Sequence, residues 1–158
     1  MNGVTQITVT EDVSLITFYK VPNDLKTISR IFAAVADAGV NIDMISQTTP
    51  QSGFVSFSFT VYSGDAVKVI ALANSMKSHA DGIKPMVSTG NCKIQLYGEE
   101  MPQMTGVYAQ VLGALSKSGA DVGLITTSEV DISLLVTAAH IGDVVTALEQ
   151  EFSVSAQS

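Results

Sequence analysis

Residues 32–47 read FAAVADAGVNIDMISQ, and residues 112–127 read LGALSKSGADVGLITT, which is the same pattern in different letters. In both stretches a helical spacing of apolar residues leads into a glycine, Gly39 or Gly119, and a further apolar stretch follows. Glycine adopts positive φ at no steric cost and therefore commonly ends a helix. The sequence thus predicts a duplicated unit in which a helix, a glycine cap and a strand follow one another.

Strands are predicted where apolar and polar residues alternate. Residues 53–61, GFVSFSFTV, are apolar at 55, 57, 59 and 61 and polar at 56, 58 and 60, which is the period of a half-buried strand. Residues 130–136 repeat this pattern, with apolar residues at the even positions and with Asp131 and Ser133 on the opposite face. Further short strands are predicted near 4–9, 14–21, 85–88 and 93–97.

Helices are predicted where apolar residues recur at intervals of three and four. Four segments show this spacing, around 25–35, 69–76, 107–115 and 141–152. Only the turns Asp81-Gly82 and 89–91 separate the halves, so we expect them to pack tightly. The resulting order, strand-helix-strand-strand-helix-strand written twice, predicts an α+β fold of two ferredoxin-like βαββαβ units.

Composition restricts the class of protein. With 46% hydrophobic residues the chain is expected to build a packed core. With 15 acidic against 8 basic residues it has a net charge of −7, which argues against nucleic acid as a partner. No apolar run has the length of a membrane span, and the start of the chain does not resemble a signal peptide. We therefore expect no membrane partner and a cytoplasmic location.

The sequence indicates no catalytic residue, cofactor or metal site. Cys92 is the sole cysteine, and it is interpreted as a small core or strand-edge residue. A nucleophilic role for Cys92 requires a histidine partner, for which the chain offers His79 and His140.

The turn before the first helix is a candidate binding element. An amino-acid ligand presents a carboxylate, and the N–H groups at a helix N-terminus are donors for it. Asn23 or Asp24 is the candidate N-cap there, with Lys26 and Thr27 in the first turn. Capping alone explains these residues equally well.

Asn41, Asp43 and Gln47 are candidate partners for a ligand ammonium group. They follow Gly39 at the start of and along the next predicted strand, and the period of two places Asn41 and Asp43 on one face. The alternative is that Asn41 only tolerates the turn and that Asp43 is a solvated strand residue.

Three stretches, GVNIDMI at 39–45, the strand at 53–61 and LITTSEVDIS at 124–133, resemble the regulatory half of aspartate kinases, which is built from ACT domains. The resemblance covers nearly the whole chain and implies two interlocked ACT units, at 12–88 and 91–155, the second completed by a strand at 3–10. It also implies a homodimer through these units with effector sites at the seam. The Lys-Phe-Gly-Gly stretch that opens the catalytic domain of the family does not occur in this chain.

The sequence departs from the family at several positions. The family turn Asp-Lys-Pro-Gly is replaced by Asn23-Asp24-Leu25-Lys26, and the Ser-His-Pro of the second unit by Gln103-Met104-Thr105. Thr127-Ser128-Glu129 matches the lysine-responsive members, whereas Gly123 stands where many of them carry Asp. The ligand-contacting residues that the resemblance implies for the second unit are Met101, Gly106, Val107, Asp121, Val122, Thr127, Ser128 and Glu129.

The function that follows from the resemblance is allosteric feedback control by an amino acid, lysine or threonine. A separate kinase catalytic subunit is compatible with this as a partner. Two alternatives stay open, namely a fragment of a full aspartate kinase, which phosphorylates aspartate with ATP, and a ligand-free structural dimer. The altered turns at 23–26 and 102–105 favour the ligand-free dimer.

Overall fold

The computed structural model describes residues 2–76 and 83–158, and the chain divides into two compact units. Asp12–Thr89 form the continuous unit, and Met1–Glu11 with Gly90–Ser158 form the discontinuous unit. Both combine helices with mainly antiparallel strands, so the predicted α+β class is confirmed. The predicted turn at Asp81-Gly82 and the residue His79 lie outside the described residues.

The secondary structure follows the duplicated order. The elements are β1 (Gln6–Pro22), α1 (Leu25–Asp37), β2 (Ile45–Gln47), β3 (Phe54–Tyr62), α2 (Ala66–Met76), β4 (Lys84–Tyr97), α3 (Val107–Ser116), β5 (Val122–Thr127), β6 (Asp131–Thr137), α4 (Ile141–Phe152) and β7 (Ala156–Gln157). None of the helices in the described residues has the length and apolar character that crossing a bilayer requires.

In the continuous unit, β3 pairs antiparallel with β1 on one side and with β2 on the other. The apolar side chains at 55, 57, 59 and 61 are buried as the alternation predicts. The ring of Phe32 on α1 packs edge-on against Phe57 and Phe59, with centroids 5.4 and 5.8 Å away. The helix therefore covers the apolar face of the sheet.

In the discontinuous unit, β6 pairs antiparallel with β4 and with β5, and β7 pairs parallel with the start of β1. The N-terminal residues belong to this unit, because Thr5 N–H donates to Tyr97 O at 2.8 Å. Val4 and Ile7 are fully buried in its core beside Leu96, Val111 and other apolar residues. The core of this unit thus draws on both ends of the chain.

The glycine that follows α1 has the predicted role. Gly39 has φ of +77°. The Gly39 N–H donates to Ala36 O at 2.9 Å, and the Val40 N–H donates to Val35 O at 3.3 Å. This pair of bonds is the Schellman motif, which satisfies carbonyl groups at the helix end. Gly119 has φ of +73° after α3, so the left-handed glycine is repeated in the second copy, where the Ala120 N–H donates to Ser118 Oγ at 3.3 Å instead.

Two pairs of predicted strands are single long strands. The segments predicted at 4–9 and 14–21 form one strand, β1, and those at 85–88 and 93–97 form β4. Asp12 in β1 and Gly90 in β4 have positive φ, a conformation that Asp and Gly tolerate better than most residues. Asp12 and Gly90 therefore mark irregular points within continuous strands, and they do not separate one strand from the next.

The polar faces of two strands are more buried than alternation predicts. Ser133 and Leu135 are buried in β6, because this strand has neighbours on both edges. Thr60 is buried on β3, where its Oγ1 accepts the Met44 N–H at 3.0 Å. Asp43 N–H also donates to Thr60 O, and Thr60 N–H donates to Met44 O. Thr60 of β3 thus lies opposite both Asp43 and Met44. Regular strand pairing therefore starts only at Ile45, where β2 begins.

Replacement of Gly98 by alanine is expected to destabilise the discontinuous unit. A Cβ at Gly98 lies 1.7 Å from the backbone oxygen of Gly3, so the two segments must separate. We expect the free energy of unfolding to fall by at least about 2 kcal/mol, measured by urea denaturation. The matched control is Gly113→Ala in α3, where nothing lies within 4 Å of the new Cβ. Because alanine favours helix, that change should stabilise by about 0.5–1 kcal/mol. Equal effects of the two variants would contradict the packing described.

Candidate functional site

The N-terminus of α1 is capped by a side chain of the protein itself. Asp24 is the N-cap, with Oδ1 accepting the Lys26 N–H at 3.3 Å and Oδ2 accepting the Thr27 hydroxyl at 3.0 Å. The hydrogen bond from the Thr27 hydroxyl, followed by that from the Lys26 amide, holds the pKa of Asp24 below its usual value. Asn23 does not cap the helix; its backbone N–H donates to Gly53 O at 2.9 Å. A carboxylate thus already occupies the position that a ligand carboxylate would take.

The start of α3 is different. Its N-cap is Gly106, which has φ of +88° and provides no side chain to cap the helix. Val107 is buried, Met101 is buried in a short 3-10 turn over Met101–Gln103, and Met104 N–H donates to Met101 O at 3.0 Å. Within the described residues, the N-cap of α3 therefore provides no side-chain hydrogen bond to the first-turn amides.

The superposition of Phe32 on Leu112, a shift of 80 positions, aligns the two helix starts. In that frame Lys26 corresponds to Gly106, the N-cap of α3. Because Asp24 caps two positions earlier, α1 gains an extra half-turn, and Ile28 N–H donates to Asp24 O at 3.0 Å. Amides that are at the helix start in α3 therefore lie inside the helix in α1.

Residues 41–47 differ from the prediction in where the strand begins. Asn41, Asp43 and Gln47 are all exposed, while Met44 between them is buried. Asn41 and Asp43 were expected in a strand, but they precede β2, which begins at Ile45. The bulge opposite Thr60 accounts for this difference.

The hairpin between β5 and β6 uses its own polar groups. Ser128 N–H donates to Asp131 O at 3.0 Å, and Ser128 Oγ accepts the N–H groups of Val130 and Asp131, each at 3.2 Å. Thr127 and Glu129 are exposed beside it. Asp121 is exposed and Val122 is half-buried where β5 begins. The hydroxyl of Ser128 keeps one donor, because its acceptor role is directed to the hairpin.

Several polar contacts were not predicted from the sequence. Gln95 Nε2 donates to Asp131 Oδ2 at 2.7 Å across neighbouring strands. The Tyr97 hydroxyl donates to Glu99 Oε1 at 3.2 Å, and desolvation, followed by this carboxylate, raises the pKa of Tyr97. The offset at which β4 pairs with β6 brings Gln95 and Asp131 together. That offset cannot be predicted from the sequence of one strand alone.

The described residues hold no group of three His, Cys, Asp or Glu side chains placed to bind a metal ion. Cys92 is buried in β4, as the interpretation of a core residue requires.

Comparison with known proteins identifies both halves of the chain. Residues 14–80 match the ACT domain family, and residues 94–152 match a second ACT domain model. The chain carries two ACT domains. They account for the duplicated βαββαβ order and for the paired glycine caps.

Relatives of the tandem ACT chain are aspartokinases. The aspartokinase of Bacillus sp. (strain MGA3) is 29% identical over 147 residues, which is 92% of this chain and 35% of the relative. The chain thus spans about a third of the length of the curated relatives it matches.

Solved structures extend the comparison. The ligand-free regulatory subunit of aspartate kinase from Thermus thermophilus is 25% identical, with a TM-score of 0.86 over 95% of this chain and 99% of that one. A structure of aspartokinase alpha and beta subunits is 28% identical, with a TM-score of 0.83 over 95% of this chain and 99% of its own. This chain therefore resembles the regulatory region of aspartate kinase.

The cap at Asp24 predicts a pH-dependent contribution to stability. A carboxylate whose folded pKa is lowered stabilises the fold above its unfolded pKa, and that stabilisation is lost as the pH falls through the folded pKa. Asp24→Ala should therefore unfold at lower urea than wild type at pH 7, and the difference should shrink as the pH falls below the usual aspartate value of 3.8. Asp24→Asn keeps a capping oxygen and should retain more of the stability at pH 7. A constant difference between Asp24→Ala and wild type at every pH would contradict the charged cap.

Proposed function

We propose that this chain is an amino-acid-binding allosteric module that regulates an aspartate kinase catalytic domain, carried by a separate subunit or by the same polypeptide. The supporting observation is the likeness to the regulatory subunit from Thermus thermophilus over nearly the full length of both chains. The likeness to a structure of alpha and beta subunits supports a catalytic partner. A catalytic domain encoded upstream of Met1 in the same reading frame would establish the second arrangement, in which the chain is part of a full aspartate kinase.

We further propose that the ACT units run over 12–88 and 91–155, with residues 3–10 completing the second. The division of the chain at Asp12 and Gly90 supports these bounds. The burial of Val4 and Ile7 in the core of the discontinuous unit supports the assignment of the N-terminal strand. The module is proposed to act in the cytoplasm. Its acidic composition suits a protein that contacts neither nucleic acid nor membrane.

The effector is proposed to be lysine, with threonine as the competing candidate, bound by the discontinuous unit. The uncapped amides at the start of α3 suit the ligand carboxylate, and the exposed carboxylate of Glu129 suits its ammonium group. The contacting residues proposed in this unit are Met101, Gly106, Val107, Asp121, Val122, Thr127, Ser128 and Glu129.

In the continuous unit, a role in ligand binding is proposed for Asn41, Asp43 and Gln47, which are all exposed. Asn23, Lys26 and Thr27 remain candidates at the start of α1, although Asp24 competes there with a ligand carboxylate. This competition favours one occupied site per chain.

A ligand-free structural dimer is the second candidate. Two observations favour it, namely the occupation of the α1 start by Asp24 and the use of the Ser128 hydroxyl by its own hairpin.

Lysine binding is tested by thermal unfolding. A ligand at 100 times its Kd stabilises the folded state by about 2.7 kcal/mol, which for a chain of this size raises Tm by about 5 to 10 °C. Glu129→Gln should weaken lysine about tenfold, because a charge-assisted hydrogen bond becomes a neutral one. The control is Glu151→Gln on α4, outside the proposed site, which should bind as wild type. No shift in Tm with any common amino acid would favour the structural dimer.

A homodimer through the ACT units is proposed from the strand edges. Among the described strands, β2 pairs only with β3 and β5 only with β6, and each exposes an isoleucine at equivalent repeat positions, Ile45 (47% exposed) and Ile125 (42%). Exposed edges with apolar side chains favour pairing with a second copy.

Sedimentation equilibrium tests this dimer. Ile125→Lys places a charge on the edge and should raise the dimer dissociation constant at least tenfold. Val67→Lys, on the exposed side of α2, is the matched control and should leave association unchanged. A wild-type chain that sediments as a monomer, with or without lysine, would exclude the homodimer.

A further inference from the structure

The continuous unit contains a surface cavity of about 700 Å³ away from the start of α1. This volume lies within the range of small-molecule sites, about 300–1,000 Å³. The cavity is formed where β1 nears its end, against the hairpin that joins β2 to β3. Its lining residues are Lys20, Thr48, Thr49, Gln51, Ser52, Phe54, Val55 and Ser56.

A break in register turns Lys20 toward this hairpin. Phe18 pairs with Phe57, but Val21 pairs with Val55, so two residues of β1 face one residue of β3. Lys20 has φ of +54°, a left-handed conformation that is uncommon for lysine and costs energy. A bulge of this kind redirects a side chain without ending the strand.

The cavity is electropositive in an acidic chain. Among the described residues that line it, Lys20 is the one with a charged side chain, although the chain has 15 acidic and 8 basic residues. Lys20 makes no ion pair with any described residue. Lys68, elsewhere in the unit, pairs with Asp65 at 3.2 Å. The ammonium group is therefore not neutralised by a carboxylate of the cavity wall.

The hairpin supplies hydroxyl donors around this charge. Thr48 Oγ1 accepts the Ser56 N–H at 3.0 Å, so the oxygen is fixed while its hydrogen remains to donate outward. The tip Ser52-Gly53 has positive φ at both residues, and Gln51 and Phe54 exchange backbone hydrogen bonds at 2.9 and 3.0 Å across it. This hairpin is a constrained scaffold for its hydroxyl groups.

The second copy of the repeat has a shorter hairpin. Gln47 pairs with Phe57 in the continuous unit, and at the equivalent place Thr127 pairs with Ile132. Residues 48–56 therefore close the first hairpin, whereas only residues 128–131 close the second.

We propose that this cavity binds a small molecule through an oxyanion, a phosphate or a carboxylate, with Lys20 as the cation and the hydroxyls of Thr48, Thr49 and Ser52 as donors. Ammonium and hydroxyl groups together suit an oxyanion, since lysine binds phosphate as a point charge and charged hydrogen bonds are the stronger ones. The side chain of Phe54, 45% exposed, provides an apolar surface for the rest of the ligand. The site is distinct from the amino-acid site proposed at α3.

Titration of the full chain with inorganic phosphate and, separately, with acetate tests the proposal by NMR chemical shifts. We expect saturable shifts at the amides of 48–56 with at least one of the two anions, and the stronger binder identifies the oxyanion. Lys20→Gln should weaken that binding at least tenfold. Lys20→Gly should abolish binding and also raise Tm, because glycine relieves the left-handed strain. A rise in Tm with loss of binding cannot be attributed to misfolding.

Lys68→Gln is the matched control, since Lys68 belongs to the same unit and lies outside the cavity lining. It should bind the anion as wild type does. Equal losses in Lys20→Gln and Lys68→Gln would reveal a diffuse charge effect and overturn the proposal. The absence of saturable shifts with both anions at roughly 50 mM, a concentration at which even a weak ligand binds, would also overturn it.

Discussion

The burial of the first residues of the chain in the core formed by its last residues is the contact on which the discontinuous unit depends. Val4 and Ile7 have no exposed surface, and the Thr5 N–H donates to Tyr97 O. A Cβ at Gly98 would meet the backbone of Gly3, so the two segments touch at a point that only glycine allows. Loop-closure entropy grows slowly with length, so this long-range contact costs little more stability than a shorter one. Its cost falls on the folding rate, because distant contacts form late.

The duplication has kept the scaffold and changed the chemistry at its helix starts. Both copies end their first helix before a left-handed glycine, Gly39 or Gly119, because the turn into the following segment requires that backbone conformation. At the opposite end, α1 begins at a charged side chain, Asp24, whereas α3 begins at Gly106. In α1 the Asp24 carboxylate accepts one first-turn amide, that of Lys26, whereas the N-cap of α3 provides no side-chain acceptor for its first turn. Divergence of this kind needs no change of fold, since it alters only which group accepts the helix-start hydrogen bonds.

Periodicity predicted the parts of the structure that depend on one segment at a time. The alternation at 55–61 identified the apolar face of β3, and Asp24 was one of two residues expected to cap α1. Features that depend on how two segments pair could not be predicted from the sequence. Thr60 is buried because a bulge in the opposing segment directs the Met44 amide to its hydroxyl. Lys20 lines a cavity because β1 loses register against β3. Both effects come from pairing, and pairing is a property of two strands whose offset no single stretch of sequence contains.

The contrast between the two helix starts also determines where an effector would change stability. A helix whose first amides are capped by its own side chain gains little from an added carboxylate, whereas an uncapped helix gains a hydrogen-bonded partner and a favourable interaction with its dipole. In the proposed binding mode, a ligand that binds only the folded state would therefore stabilise the unit that contains α3. That unit includes Met1–Glu11, and β1 runs from it without interruption into the continuous unit through Asp12. β1 is thus common to both units, because its start pairs with β7 in the discontinuous unit and its end, beyond Asp12, pairs with β3 in the continuous unit.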